Sequence, residues 1–149
     1  MSQNATTYAS RAMVRRLCIE FDRLAKDGDP RARGSRGEVF EVCREGRLDW
    51  ICSHLGRAVL TSNALNATEA GYLLDILAGK PTKLDRGLQD DWRRLRVTDP
   101  DAYFTAMQAH PQRTFGALFW RFQNRTLAQL TYSAKRDLRQ ILTRRQPAA

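Results

Sequence analysis

In every long segment of this chain apolar residues recur at intervals of three and four, and nowhere do they alternate with polar ones over more than a few positions. That period lays apolar side chains along one stripe of a helix, so the chain is expected to be all-α. Each striped helix must bury its stripe against others. The stripes and their stop signals predict a compact bundle of about six helices with a long basic helix at the C-terminus.

In the first expected helix, 8–26, Met13, Val14, Leu17, Phe21 and Leu24 form one stripe while Arg11, Arg15, Arg16 and Arg23 point elsewhere, and Asp27-Gly28-Asp29-Pro30 stops it. RARGSRG at 31–37 reads as a mobile basic loop, either a solvated linker or a phosphate contact through Arg31, Arg33 and Arg36. Ser35 and Glu38 have the spacing of a capping box and are expected to open a second helix carrying Val39, Phe40, Val42, Leu48, Ile51, Leu55 and Val59. Asn66 and Glu69 repeat that spacing, Leu65 and Ala70 hold the staple positions, and Gly79 and Pro81 end the third helix.

A fourth helix, 83–96, aligns Leu84, Leu88, Trp92 and Leu95. Pro100 sits at the first turn of a short fifth helix with Tyr103, Phe104 and Met107, closed by His110-Pro111. The last segment, 113–145, carries one stripe of Phe115, Leu118, Phe119 and Phe122 and a second, rotated one of Leu127, Leu130, Ala134, Leu138 and Ile141. Either it bends near 123–126 or it packs on two neighbours. The chain is expected to be a single helical domain, 1–149, or two halves, 8–60 and 66–145.

A chain of 149 residues needs no disulfide or metal to be stable. Cys18, Cys43 and Cys52 lack C-x-x-C spacing and read as small buried side chains in a reducing compartment. The polar N-terminus has no signal-like apolar run and no segment reaches the ~18–20 apolar residues of a membrane span, so a cytoplasmic protein without membrane partners is expected. With two histidines, no H-E-x-x-H, no zinc spacing, no phosphate-binding glycine loop and no dinucleotide fingerprint, the expectation is no enzyme and no cofactor.

The charge points to a polyanion, since 25 basic against 16 acidic residues give a net charge of +9. Residues 113–149 hold 8 basic residues and 1 acid, so the excess gathers at the C-terminus. On one continuous helical wheel Arg125, Tyr132, Arg136 and Arg139 fall within about 60° of one another, with Lys135 at the rim, Arg121 flanking the aromatic arc and Asp137 on another side. Uncompensated like charges on one face imply compensation from outside: arginine forks suit phosphate oxygens and Tyr132 can stack on a base. A solvated face and an acidic protein surface are the alternatives. Trp120 falls outside the arc, either under a neighbouring helix or facing a partner. No base-reading motif is present, so the expected ligand is nucleic-acid backbone, RNA or single-stranded DNA, without sequence choice.

The first-helix run RAMVRRL, the scattered Trp50, Trp92 and Trp120, and the final segment FWRFQNRTLAQLTYSAKRDLRQILTRR resemble the small helical subunit of multisubunit, class 1 CRISPR effector complexes. The resemblance implies a non-catalytic subunit that packs beside other subunits or further copies of itself and steadies guide–target duplex or displaced strand. It implies backbone contacts at Arg121, Arg125, Arg136 and Arg139, and neighbouring protein at Trp120 with Tyr8 or the 31–37 loop. The capped segment LNATEAGYLLDILAGK also resembles helices of phage and plasmid DNA-associated proteins, which makes a DNA-binding or transcription accessory protein the second reading. A helical adaptor for an acidic protein is the third.

Overall fold

The computed structural model describes residues 7–147. The chain is all-α as expected, and among the described residues the one strand-like feature is an isolated antiparallel bridge between Tyr8 and Asn66. Contacts divide it into two compact units, one running to Thr82 and the other starting at Lys83.

In the N-terminal unit Ser10 caps helix α1, Arg11–Lys26, its hydroxyl accepting the Met13 N–H at 3.1 Å. Leu17, Phe21 and Leu24, the inner part of the expected stripe, are 1% exposed. Helix α2, Arg44–Leu55, begins later than Ser35 and Glu38 suggested. Glu38 instead closes the loop before it: its carbonyl accepts the Gly34 N–H at 2.8 Å and its carboxylate the Arg36 N–H at 2.6 Å. Cys43 takes over as cap, its Sγ accepting the Gly46 N–H at 3.3 Å. The 31–37 segment is therefore a bonded turn, not a mobile loop, and it is anchored at Arg33, whose carbonyl meets Trp50 Nε1 at 2.9 Å and His54 Nε2 at 2.8 Å.

Helix α3, Ala67–Ala78, has the predicted ends. Asn66 accepts the Glu69 N–H at 2.8 Å while the Glu69 carboxylate accepts the Asn66 N–H at 3.1 Å, and Gly79 adopts the left-handed C-cap with φ 69°. The staple residues Leu65 and Ala70 are fully buried. Because α3 packs on α1, it belongs to the first unit, and the division falls after Thr82 rather than between 60 and 66.

The C-terminal unit holds α4, Lys83–Arg94, α5, Pro100–Gln108, α6, Pro111–Phe115, and α7, Tyr132–Thr143. Leu88, Trp92, Leu95, Phe104, Met107, Phe115, Phe122, Leu130, Ala134, Leu138 and Leu142 form its core. The single long helix expected over 113–145 is broken into pieces, and the breaks have local causes. Gly116 sits at φ 60°, ψ −136°, a conformation costly for any other residue, and a 3-10 run, Gly116–Arg121, follows. Asn124 turns the chain at φ 55°, and Thr131 caps α7 by accepting the Ala134 N–H at 3.2 Å. Two residues able to end a helix and one able to start one outweigh the apolar period that runs through them.

Candidate nucleic-acid interface

The C-terminal cations were expected to share one uncompensated face; in the folded unit most of them meet acceptors. Lys135, 8% exposed, reaches from α7 to Asp85 on α4 at 2.8 Å. One turn along, Arg139 grips Asp91 through Nε at 2.8 Å and Nη2 at 3.3 Å, and this bonding raises the arginine pKa further. Arg121 pairs with Asp137, and Arg125 donates to the Gln129 carbonyl at 2.7 Å. Tyr132 is 7% exposed, with the guanidinium of Arg136 5.7 Å from its ring centroid. The breaks at Gly116 and Asn124 also remove Arg121 and Arg125 from the helix that bears Arg136. Of the expected face, Arg136 is the exposed cation that remains on α7.

Two further arginines of this unit have internal work. Arg94 on α4 donates to the Leu142 carbonyl at 2.6 Å and to the Arg145 carbonyl at 3.3 Å, closing the end of α7. Arg145 donates to the Tyr103 hydroxyl at 3.0 Å and lies over that ring.

Of the three loop arginines, Arg31 is committed: it forks onto Asp29 and reaches the Leu77 carbonyl at the end of α3 at 3.2 Å. The side-chain hydrogen bond from Arg31, then its backbone N–H, hold the Asp29 carboxyl down to about 2. Arg33 and Arg36 are exposed. So are Tyr8 at 63% and Trp120 at 56%.

The arginines that the sequence placed merely off the core stripe of α1 are the exposed cluster. Arg11, Arg15 and Arg16 border a shallow open trough with Ala12 and Ile19. Among the described residues Arg11 and Arg15 meet no acceptor, and Arg16 acts on Glu20 through space only. The two acids of this helix are taken: Glu20 accepts from Arg23 at 2.7 Å, which with the charges of Arg23 and Arg16 lowers its pKa, and Asp22 accepts from Arg47 of α2 at 3.0 Å. The first turn of α1 contains no acid, and the helix dipole there disfavours cations.

No protein-family model, curated protein or solved structure matches this chain. Among the described residues no group of three His, Cys, Asp or Glu side chains is placed to hold a metal ion. The cysteines are half-buried rather than fully buried; Cys43 caps α2, and Cys52 bonds both the N–H and the carbonyl of Val59. No described helix is long and apolar enough to cross a membrane.

Proposed function

We propose that this protein is a non-catalytic nucleic-acid-binding subunit that holds the sugar-phosphate backbone without reading its sequence. The observation that carries the proposal is the outward face of α1, where Arg11 and Arg15 lie one turn apart with no acceptor among the described residues and Arg16 stands beside them. Like charges at this spacing cost a few tenths of a kcal/mol, and a cation near a helix N-terminus costs up to about 1 kcal/mol more. Phosphate groups reverse both penalties, and the guanidinium fork matches their oxygens. The net charge of +9 draws a polyanion to the surface from a distance.

A membrane surface fits less well. The apolar residues that would insert, Leu17, Phe21 and Leu24, face the protein interior, leaving Ile19 as the exposed large apolar side chain of the helix. The resemblance to class 1 CRISPR small subunits supplies the setting, a cytoplasmic ribonucleoprotein assembly. Exposed Tyr8, Val39 and Leu60 in the N-terminal unit support contact with other subunits.

Fluorescence anisotropy with labelled single-stranded RNA, single-stranded DNA and duplex DNA across a salt series tests the reading. The expected slope of log K against log[salt] is roughly −3 to −5, reduced by about 2 when Arg11, Arg15 and Arg16 are all changed to Glu. Strongest binding to duplex DNA moves the protein to the phage-type reading. No binding tighter than about 10⁻⁴ M at low salt overturns the proposal in favour of an acidic protein partner.

A further inference from the structure

The C-terminal unit presents one aromatic side chain that its core does not use. Trp92, Phe104, Phe115 and Phe122 are 7% exposed or less, whereas Trp120 is 56% exposed. The segment that carries it is fixed on both sides. Phe115 and Phe122 flank the 3-10 run Gly116–Arg121 and stack on one another in the core, with centroids 4.2 Å apart and planes 14° apart. The indole is braced as well, because the Arg121 guanidinium lies 5.1 Å from its centroid and is itself held by Asp137. A large apolar surface is thus held out toward solvent by a rigid support.

The chemistry around it selects the occupant. Residues 113–149 hold 8 basic residues and 1 acid, Asp137, which Arg121 already neutralises, and Arg113 and Arg136 of this stretch are exposed. A stretch with excess positive charge and a protruding indole suits a ligand that is anionic along its length and offers flat π-faces. We infer that Trp120 is a stacking platform for an unpaired base, and that the preferred ligand is single-stranded nucleic acid. The inference rests on the nucleic-acid reading above and adds to it a contact made by the bases, independent of the α1 arginines. Every base has a π-face, so the platform adds affinity without sequence choice, and base pairing removes the face it needs.

The test compares oligo(dT), an abasic deoxyribose-phosphate strand of equal length, and a duplex, each titrated against the wild type, Trp120→Ala and Trp120→Phe. The wild type is expected to bind oligo(dT) about 5- to 100-fold tighter than the abasic strand. Trp120→Ala should bind both equally, at the wild-type affinity for the abasic strand, and Trp120→Phe should recover part of the difference. Equal wild-type affinity for the two strands overturns the inference while leaving backbone binding intact; no binding to either removes both. An oligo(dT) preference that survives Trp120→Ala overturns the platform alone. So does unchanged binding with lost self-association in sedimentation, which would make Trp120 a protein contact.

Discussion

The guanidinium of Arg139 occupies the space where a Cβ would stand on Gly87. Gly87 is buried on α4, and only its missing side chain lets Arg139 cross the helix to Asp91. An alanine there gains up to about 1 kcal/mol of helix propensity. It also pushes the guanidinium off a largely buried carboxylate, which costs about 1–3 kcal/mol. Gly87→Ala is therefore expected to destabilise the wild type by about 1 kcal/mol in urea denaturation. In an Arg139→Ala background the same change is expected to stabilise. The same sign in both backgrounds would show that the glycine is not there for Arg139.

The arginines separate into those that hold the fold and those that face outward, and charge reversal distinguishes them. Arg139→Glu sets an acid against Asp91 and is expected to lower stability by about 2 kcal/mol, a value reduced from that of a fully buried pair because Arg139 is 40% exposed. Arg15→Glu should leave stability within about 0.5 kcal/mol while weakening nucleic-acid binding and flattening its salt dependence. Thermal denaturation and anisotropy on the same two proteins check both halves. Arg136→Glu alone, at an exposed position with no ion-pair partner among the described residues, measures what α7 itself contributes to binding.

Asn66→Ala is expected to cost about 1 kcal/mol, since it leaves the Glu69 N–H without its side-chain acceptor while the backbone N–H of residue 66 still donates to the Glu69 carboxylate. Urea denaturation followed by the buried Trp50 reports on this unit. A cost of a few tenths would mean that Arg57, which forks onto Glu69 at 2.7 Å, orders the helix start without the cap.

That cap was legible because every part of it lies within four residues. The same holds for Pro100 opening α5, whose neighbour Asp99 accepts the Ala102 N–H at 3.1 Å. Ser35 and Glu38 show the limit of the spacing rule: an identical pattern closes a turn when Gly34 lets the chain fold back on Glu38. The long terminal helix failed for a related reason. The rotated stripes offered a bend near 123–126, where Asn124 does turn the chain, but period alone could not reveal that Gly116 and Thr131 also leave the helix, and every wheel angle drawn across them lost its meaning. Asp85 and Asp91 are about fifty residues from the cations they neutralise, so no local pattern exposes the compensation. The α1 arginines were visible beside the apolar stripe, but their significance depends on which acids fold against them.

Acid should weaken the N-terminal unit through Asp29. Its carboxyl ordinarily titrates near 3.8 and is held down to about 2 by the Arg31 side chain and N–H. A depressed carboxyl stabilises the fold above its unfolded pKa and loses that contribution as pH falls through the folded one, so the loss spans about pH 4 to 2. Asp29→Asn should flatten that part of the stability curve, as followed by Trp50 fluorescence in urea at successive pH values. An unchanged acid limb would assign it to other carboxylates.

The clasp of Arg94 on the Leu142 carbonyl of α7 and the Arg145 carbonyl just beyond it joins positions 48 and 51 residues apart. A helix of 12 residues is marginal by itself in water. Its final turn is closed locally by the Arg144 and Arg145 N–H groups and gains the Arg94 bonds only when α4 docks, so local coiling is consolidated by the long-range encounter. The C-terminal unit should therefore nucleate late and then close all at once, with α4 and α7 protected together from hydrogen exchange rather than one after the other.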